Sequence, residues 1–322
     1  MLGGKPMSYL DKQHLKLLKL PELTLVDYNL RRTVEDYGGL MTEITKHILS
    51  MGGKRIRPAL VITAANIFGA PLNAKIQLAT VAELIHTASL LHDDVIDDSN
   101  LRRGQPTANN IWGNSSSVLA GDYLFAQAFN ILSNFHERQI LSIFTDAIAE
   151  MCNGELRQSS GRHNLDIDLA TYLRTITGKT ASLIGAACET GALISPMPRE
   201  LVPRLRNYGI NLGCAYQIID DICDYTLTEQ QSGKPWANDI KHGVMTSPLI
   251  FWLEDGNTMD SLPTDFSGIC NELKNSGALR RTRNLADNYL NQAMDQLDPL
   301  PECPAIDYLR TIVDFFKTQC QV

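Results

Sequence analysis

An all-α chain is predicted by three observations: apolar residues recur at three- and four-residue steps through most of its length, period-two alternation is scarce, and turn residues fall between the periodic runs. The run from Ala74 to Asp98 carries Ile76, Leu78, Ala79, Ala82, Ile85, Ala88, Ser89 and His92 at helical spacing. Similar runs cover Val118–Asn134, Gln139–Gln158, Ala170–Leu193, Leu201–Tyr225 and Ser247–Leu253. Punctuation lies at GAP (69–71), SPMP (195–198) and the polar stretch from Thr226 to Gly243. Thr246-Ser247-Pro248 has the form of a helix start, a hydroxyl cap followed by a first-turn proline. The stretch from Glu254 to Leu279 is loop-rich and resembles a boundary, but no Gly/Ser or Pro-rich linker and no internal repeat accompanies it.

The 322 residues suffice for one large domain or two small ones, and either buries a core without disulfides or a structural metal. With 44% hydrophobic and 20% charged residues the balance is globular. A net charge of -7 disfavours a nucleic-acid partner. Seven aspartates fall within two short segments, 93–98 and 220–224, as many as the whole net charge, so the acidity is assigned to a site rather than to the surface. The seven cysteines form no C-x-x-C pair and several lie in apolar runs, so free buried thiols in a reducing compartment are expected. MLGGKPMSYLDKQHLKLLKL lacks the apolar core of a signal peptide, and no stretch is long enough for a membrane span. A cytoplasmic location is the expectation.

LLHDDVIDD holds Asp93, Asp94 and Asp97 in a D-D-x-x-D arrangement, and at 3.6 residues per turn Asp93 and Asp97 stack on one helix face. Their mutual repulsion is relieved by a divalent cation, although a solvated acidic helix end explains such a run alone equally well. YQIIDDICDY repeats the pattern with Gln217, Asp220, Asp221 and Asp224, here between apolar residues where an uncompensated carboxylate cluster is costly. Oxygen-only ligands supplied in ones and twos select Mg²⁺ over Ca²⁺. For the two motifs to share a site, positions 127 residues apart must meet, which favours a single domain over 1–322.

Two basic clusters complement the acids. GGKRIRP places Lys54, Arg55 and Arg57 behind a glycine pair, and LRRGQPT places Arg102 and Arg103 just past the first aspartate motif. Arginine forks match diphosphate oxygens, and glycine permits close approach of backbone, so the clusters suggest an anion pocket. TGKT (177–180) lacks the spacing of a phosphate-binding P-loop and carries no argument by itself. His86 on an apolar helix is more often a core histidine than a ligand. Trp112, Trp236 and Trp252 are taken as packing residues.

In this order, from about Gly52 to Pro248, GGKRIRP, LLHDDVIDDSNLRRGQPT, GKT and QIIDDICD resemble the trans-isoprenyl (polyprenyl) diphosphate synthase family, of medium- to long-chain type. The resemblance implies a helical bundle around a deep central cavity, usually a homodimer, that repeatedly condenses an allylic diphosphate with isopentenyl diphosphate. It implies that Asp93 and Asp97 bind two Mg²⁺ ions and Asp220, with Asp224, a third; Asp94 and Asp221 complete the candidate metal motifs. Arg102, Lys179 and Lys234 would contact the allylic diphosphate, and Lys54, Arg57, His86 and Arg103 would hold isopentenyl diphosphate. Thr180 and Gln217 would face the developing allylic cation. Members often carry a lysine in D-L-x-x-G-K-x-T-x-P; here that position is Val244.

Product length follows from the helix before Asp93. The positions four and five residues earlier, Ser89 and Ala88, are small, whereas in the family an aromatic side chain there gives a short product. The expected product therefore exceeds about four isoprene units, each further helical turn adding ~5.4 Å of passage. It suits quinone side chains and can be handed to a membrane. Phe144 is the candidate floor; close helix packing is the competing explanation for Ala88 and Ser89. A class I terpene cyclase would need no second diphosphate site, and a non-catalytic subunit would have lost motif residues. A catalytic subunit with a small partner, or a farnesyl or geranylgeranyl diphosphate synthase, remains compatible with the motifs.

Overall fold

The computed structural model describes residues 20–35, 38–227 and 238–319, and these are helical nearly throughout. In chain order the helices are α1 (Glu22–Glu35), α2 (Gly39–Ser50), α3 (Ile56–Asn66), α4 (Leu72–Ile96), α5 (Ala108–Trp112), α6 (Asn114–Leu132), α7 (Arg138–Ser160), α8 (Leu169–Ile176) and α9 (Ser182–Leu193). They continue as α10 (Val202–Thr226), α11 (Asn238–Lys241), α12 (Ser247–Glu254), α13 (Phe266–Asn275), α14 (Ala278–Leu297) and α15 (Pro304–Lys317).

The apolar pattern decides which helices lie inside. α9 is apolar around most of its circumference, with Leu183, Ile184, Ala186, Ala187, Cys188 and Leu193 all buried, which places it centrally. It packs on α3, α7 and α10, which in turn carry the remaining layers. One buried cluster gathers α8, α10, α12, α14 and α15 around Tyr208, Tyr225 and Trp252; a second gathers α1 to α4, α6 and α7 around Leu84, Ala88, Leu124 and Phe144. The two acidic motifs sit at the C-terminal ends of α4 and α10, the longest helices at 25 residues each.

Five details differ from the sequence reading. The run Ala170–Leu193 is broken by a π-helical turn, Thr177–Ala181, between α8 and α9. Residues Leu101–Arg102 and Gln105–Pro106 pair as a two-residue antiparallel ribbon, closed by Arg103 and Gly104 at φ 52° and 74°. The stretch Glu254–Leu279 is not mainly loop, because it contains α13, whose N-cap Asp265 accepts a hydrogen bond from the Gly268 amide at 2.9 Å. Thr246 occupies the N-cap of α12, but its hydroxyl makes no cap bond; it pairs with the Tyr225 hydroxyl at 2.7 Å, satisfying a buried phenol instead. Finally, Cys223 is disulfide-bonded, while Cys152, Cys188, Cys214, Cys270 and Cys303 are free. A disulfide needs only two nearby Cβ atoms and no sequence motif, so the thiol count no longer argues for a reducing compartment. Among the described residues no helix is long and apolar enough to cross a membrane.

Candidate active site between α4, α7, α8 and α10

A cavity of about 270 Å³ lies where these helices converge, lined by Asp97 from the first acidic motif and Gln217 and Asp221 from the second. Lys179 and Thr180 of the π-helical turn, and Val244 to Thr246 before α12, line it too. The cavity thus joins residues of both acidic motifs.

The π-helical turn presents its basic residue through a backbone-to-backbone crossing with α7. A Cβ on Gly154 would lie 2.4 Å from the Lys179 amide nitrogen, and one on Gly178 would lie 2.6 Å from the Glu150 carbonyl. Only glycine at both places allows that approach. The crossing brings Lys179 Nζ to 2.7 Å from Glu155 Oε2, a contact made off the direction of a hydrogen bond, so both buried Glu155 oxygens lack a hydrogen-bond partner. π-helical turns often occur where a side chain must be re-aimed at a functional site.

Across the cavity a hydrogen-bonded chain orders the second motif. The Thr180 hydroxyl donates to Gln217 Oε1 at 2.9 Å, Gln217 Nε2 donates to Asp221 Oδ1 at 2.9 Å, and the Tyr172 hydroxyl donates to Asp221 Oδ2 at 2.5 Å. Asp221 is 4% exposed, and burial pushes its carboxyl up from 3.8 to about 7 despite these donors. Asp224 Oδ2 accepts the Asp239 amide at 3.1 Å.

In the first motif the three carboxylates do different things. Burial pushes Asp93 up to about 7, with Lys179 opposing that shift and Glu155 adding to it. Asp94 is 1% exposed and both of its oxygens accept from Arg102 Nε, at 2.9 and 3.1 Å. Its side chain therefore anchors the short ribbon that carries Arg102 and Arg103. Asp97, which caps α4, is paired with Arg162 from the loop after α7.

Beside this cavity lies a second, smaller pocket, lined by Arg55, Glu83, His86, Arg102 and Arg103. Arg55 is tied to Asp27 and Glu83, so it serves the framework. Arg57 is half-buried, its Nε is shielded from solvent without a hydrogen-bond partner, and desolvation pushes its guanidinium down. Arg103 is likewise pushed down by burial and then by Arg102, and donates to the Gly52 carbonyl. His86 is held well below 6.5, first by burial and then by Arg57 and Arg103, so its imidazole is neutral at pH 7. Cationic groups crowded in one pocket are stabilised by an anion.

Of the sequence-derived residues, Asp97, Lys179, Thr180, Gln217 and Asp221 line the main cavity and His86, Arg102 and Arg103 the smaller pocket; Lys54, Arg57, Asp93, Asp94, Asp220 and Asp224 line neither, and Lys234 and Trp236 lie outside the described residues. Trp252 is a packing residue, buried with its indole donating to Glu272 at 3.0 Å. Sequence reasoning missed Tyr172, Glu155, Arg162, Asp239 and His242, of which all but Glu155 line the main cavity. Tyr172 stands two helical turns before Lys179 and was in principle visible as the same face. Arg162 and His242 come from loops and carry no periodic signal.

A divalent cation fits these residues. Among the described residues no three His, Cys, Asp or Glu side chains converge on one point. The carboxylates flank the cavity in ones and twos, and a cation there completes its shell with substrate oxygens and water, as Mg²⁺ commonly does. Desolvation makes the ionised forms of Asp93 and Asp221 costly, and a cation beside them would lower that cost.

The sequence matches the family described as polyprenyl synthetase over residues 39–266. It is 38% identical over 299 residues to the heptaprenyl diphosphate synthase component 2 of Geobacillus stearothermophilus, covering 90% of this chain and 93% of that protein. Among solved structures, a decaprenyl diphosphate synthase from Rhodobacter capsulatus superposes with a TM-score of 0.84 at 34% identity, covering 96% of this chain and 98% of the other. A polyprenyl synthase from Caulobacter crescentus, complexed with calcium and isoprenyl diphosphate, gives 0.88 at 32% identity over 99% and 100%. Paired acidic motifs facing one cavity, a basic pocket beside it and a sequence match across most of the chain place this protein in the polyprenyl synthetase family of prenyltransferases.

Proposed function

We propose that the chain is a single catalytic domain that condenses an allylic diphosphate with isopentenyl diphosphate repeatedly, giving an all-trans polyprenyl diphosphate longer than about four isoprene units. The observation that carries the reading is the joining of Asp97, Lys179, Thr180, Gln217 and Asp221 in one cavity next to the Arg103–His86 pocket. Two diphosphates then lie side by side. Mg²⁺, held by Asp93 and Asp97 on one side and by Asp220 and Asp224 on the other, would supply electrostatic stabilisation of the departing diphosphate.

The protein's own groups do the rest. Lys179, restrained by Glu155, is aimed at the allylic diphosphate. Arg102 acts mainly by fixing the ribbon through Asp94, which sets Arg103 against the isopentenyl diphosphate. Neutral His86 lines that pocket, and Arg57, half-buried on the same side of α4, would add a second positive charge toward the isopentenyl diphosphate. Gln217 Oε1, already oriented by Asp221 and Thr180, offers a carbonyl dipole to the developing allylic cation. Apolar Ile167, Ile176 and Met245 in the lining keep water from that cation.

For product length the structure separates the two small residues. On α4 the partly accessible side chains His86, Ser89, Leu90 and Asp93 form one stripe, whereas Ala88 is fully buried. A Cβ on Gly121 of α6 would lie 3.2 Å from the Ala88 carbonyl, so close helix packing accounts for the small side chain there. Ser89 is the residue on the stripe that leads away from Asp93. Phe144 is fully buried in the cluster shared by Ala88, Leu183 and Ala186, consistent with a floor.

A second reading is favoured by one observation. Relatives from Geobacillus stearothermophilus and Bacillus subtilis are named component 2 of heptaprenyl diphosphate synthase, so this chain can be the catalytic member of a two-component enzyme. A homodimer is the alternative assembly, and Val118, Leu119 and Phe129 on α6 expose apolar surface that either partner could cover. Assaying the purified chain with farnesyl diphosphate, isopentenyl diphosphate and Mg²⁺ tests the function. Elongation by the chain alone supports a self-sufficient synthase; no elongation in saturating Mg²⁺ rejects that reading and leaves the two-component one.

A further inference from the structure

We propose that Arg162 is a ligand of the substrate diphosphate, exchanging between Asp97 and the diphosphate oxygens and supplying the positive charge that Val244 does not. The inference rests on reading the main cavity as the allylic diphosphate site. Four observations carry it. Arg162 lines that cavity together with Lys179, Asp97 and Val244. Its Nη2 donates to Asp97 Oδ1, while its Nε is buried with no hydrogen-bond partner. A guanidinium has five N–H donors in a fixed fork, so a side chain with one arm on Asp97 and Nε unspent is matched to a polyvalent oxyanion.

The loop that carries Arg162 is fastened to the segment that carries Val244. The His163 amide donates to the Gly243 carbonyl at 2.8 Å, with His163 at φ 62° and Gly243 at φ 68°. A Cβ on Gly243 would lie 2.3 Å from His163 Nδ1, so the two segments stay in register only with glycine there. The Val244 amide in turn donates to the Asp239 carbonyl at 2.8 Å. Arg162 and residue 244 are thereby fixed as neighbours on one wall.

Charge balance points the same way. The cavity lining holds Asp97, Asp221 and Asp239 against Arg157, Arg162 and Lys179. Arg157 turns one arm toward the Arg174 carbonyl, at 3.4 Å. Lys179 and Arg162 are then the two cations aimed inward. When Asp97 takes a divalent cation, Arg162 loses its attraction to that carboxylate and the diphosphate becomes its counter-charge.

Calorimetric titration of the purified full chain with inorganic pyrophosphate in saturating Mg²⁺, and with Mg²⁺ alone, tests this. Arg162→Ala should weaken pyrophosphate binding about tenfold, the loss of one charge-assisted contact. Binding of Mg²⁺ alone should stay equal or tighten, because Asp97 loses a competitor. A merely structural role would weaken both. Arg162→Lys, and Val244→Lys placed in the Arg162→Ala background, should each restore pyrophosphate affinity. If Arg162→Ala folds poorly, Arg162→Gln provides the uncharged comparison. Wild-type pyrophosphate affinity in Arg162→Ala or Arg162→Gln, with affinity lost in Asp93→Ala, overturns the assignment of Arg162 and leaves the active-site reading intact. Unchanged affinity in Asp93→Ala overturns both.

Discussion

Gly154→Ala tests whether catalysis depends on the backbone crossing between α7 and the π-helical turn. The added Cβ would meet the Lys179 amide nitrogen at 2.4 Å, the Thr175 carbonyl oxygen at 2.9 Å and the Gly178 carbonyl carbon at 3.0 Å. All three are main-chain atoms, so no side chain can swing away to relieve the clash. Ordinary contact begins near 3.4 Å, and the two segments must therefore part by about 1 Å. Overpacking of this kind costs about 1–3 kcal/mol. Alanine returns up to about 1 kcal/mol of that through its higher helix propensity. The melting temperature should fall by only a few degrees, given about 2–4 °C per kcal/mol for chains approaching this size. Lys179 and Glu155 sit on the two sides of the crossing, so the displacement acts directly on their 2.7 Å contact. A misplacement of about 1 Å at a reacting centre can cost about 100-fold in rate. Circular dichroism melting and initial-rate assays with both diphosphates measure the two effects separately. A Gly154→Ala enzyme with kcat within about twofold of wild type would refute the argument that the crossing aims Lys179.

Four further outcomes are expected. Asp93→Ala should abolish turnover without unfolding the protein, because it removes one of several mutually repelling carboxylates; near wild-type turnover in saturating Mg²⁺ would remove Asp93 from the metal site. The metal-free protein should lose stability as pH rises from about 4 to about 7, read by thermal melts in the presence of a chelator. Over that range Asp93 and Asp221 keep their protons in the folded state after the unfolded carboxyls, at 3.8, have lost theirs, and Mg²⁺ with pyrophosphate should flatten the trend. Ser89→Phe should shorten the product to about three or four isoprene units, by mass analysis after dephosphorylation, since ~5.4 Å of passage is lost per turn. Ala88→Phe should instead lower the melting temperature, because Ala88 is sealed against α6.

Local chemistry and period account for the parts of this protein that are legible without its tertiary structure. The all-α architecture follows from 3.6-residue spacing, and α9 is central because its surface is mostly apolar. The second acidic motif was legible because its carboxylates stand between apolar residues; the first motif and the basic clusters, each compatible alone with a solvated surface, became legible in combination. The extents of α4, α6, α7 and α10 agree with the periodic runs to within a few residues. The chain-spanning contacts were not legible. Asp94 and Asp221 look the same as their neighbours in a D-D-x-x-D string, yet Asp94 holds Arg102 and Asp221 holds Gln217, because side chains one residue apart on a helix point about 100° apart. Arg162 is ordinary in sequence and enters the site only because Gly243 receives the His163 ring. The hydroxyl of Thr246 abandons its cap for Tyr225 since a buried phenol left unpaired costs more than a helix amide that can find another partner. Periodicity reports which face of an element is buried; which polar groups meet there depends on how the elements cross, and that was decided by glycines at contact points hundreds of atoms away along the chain.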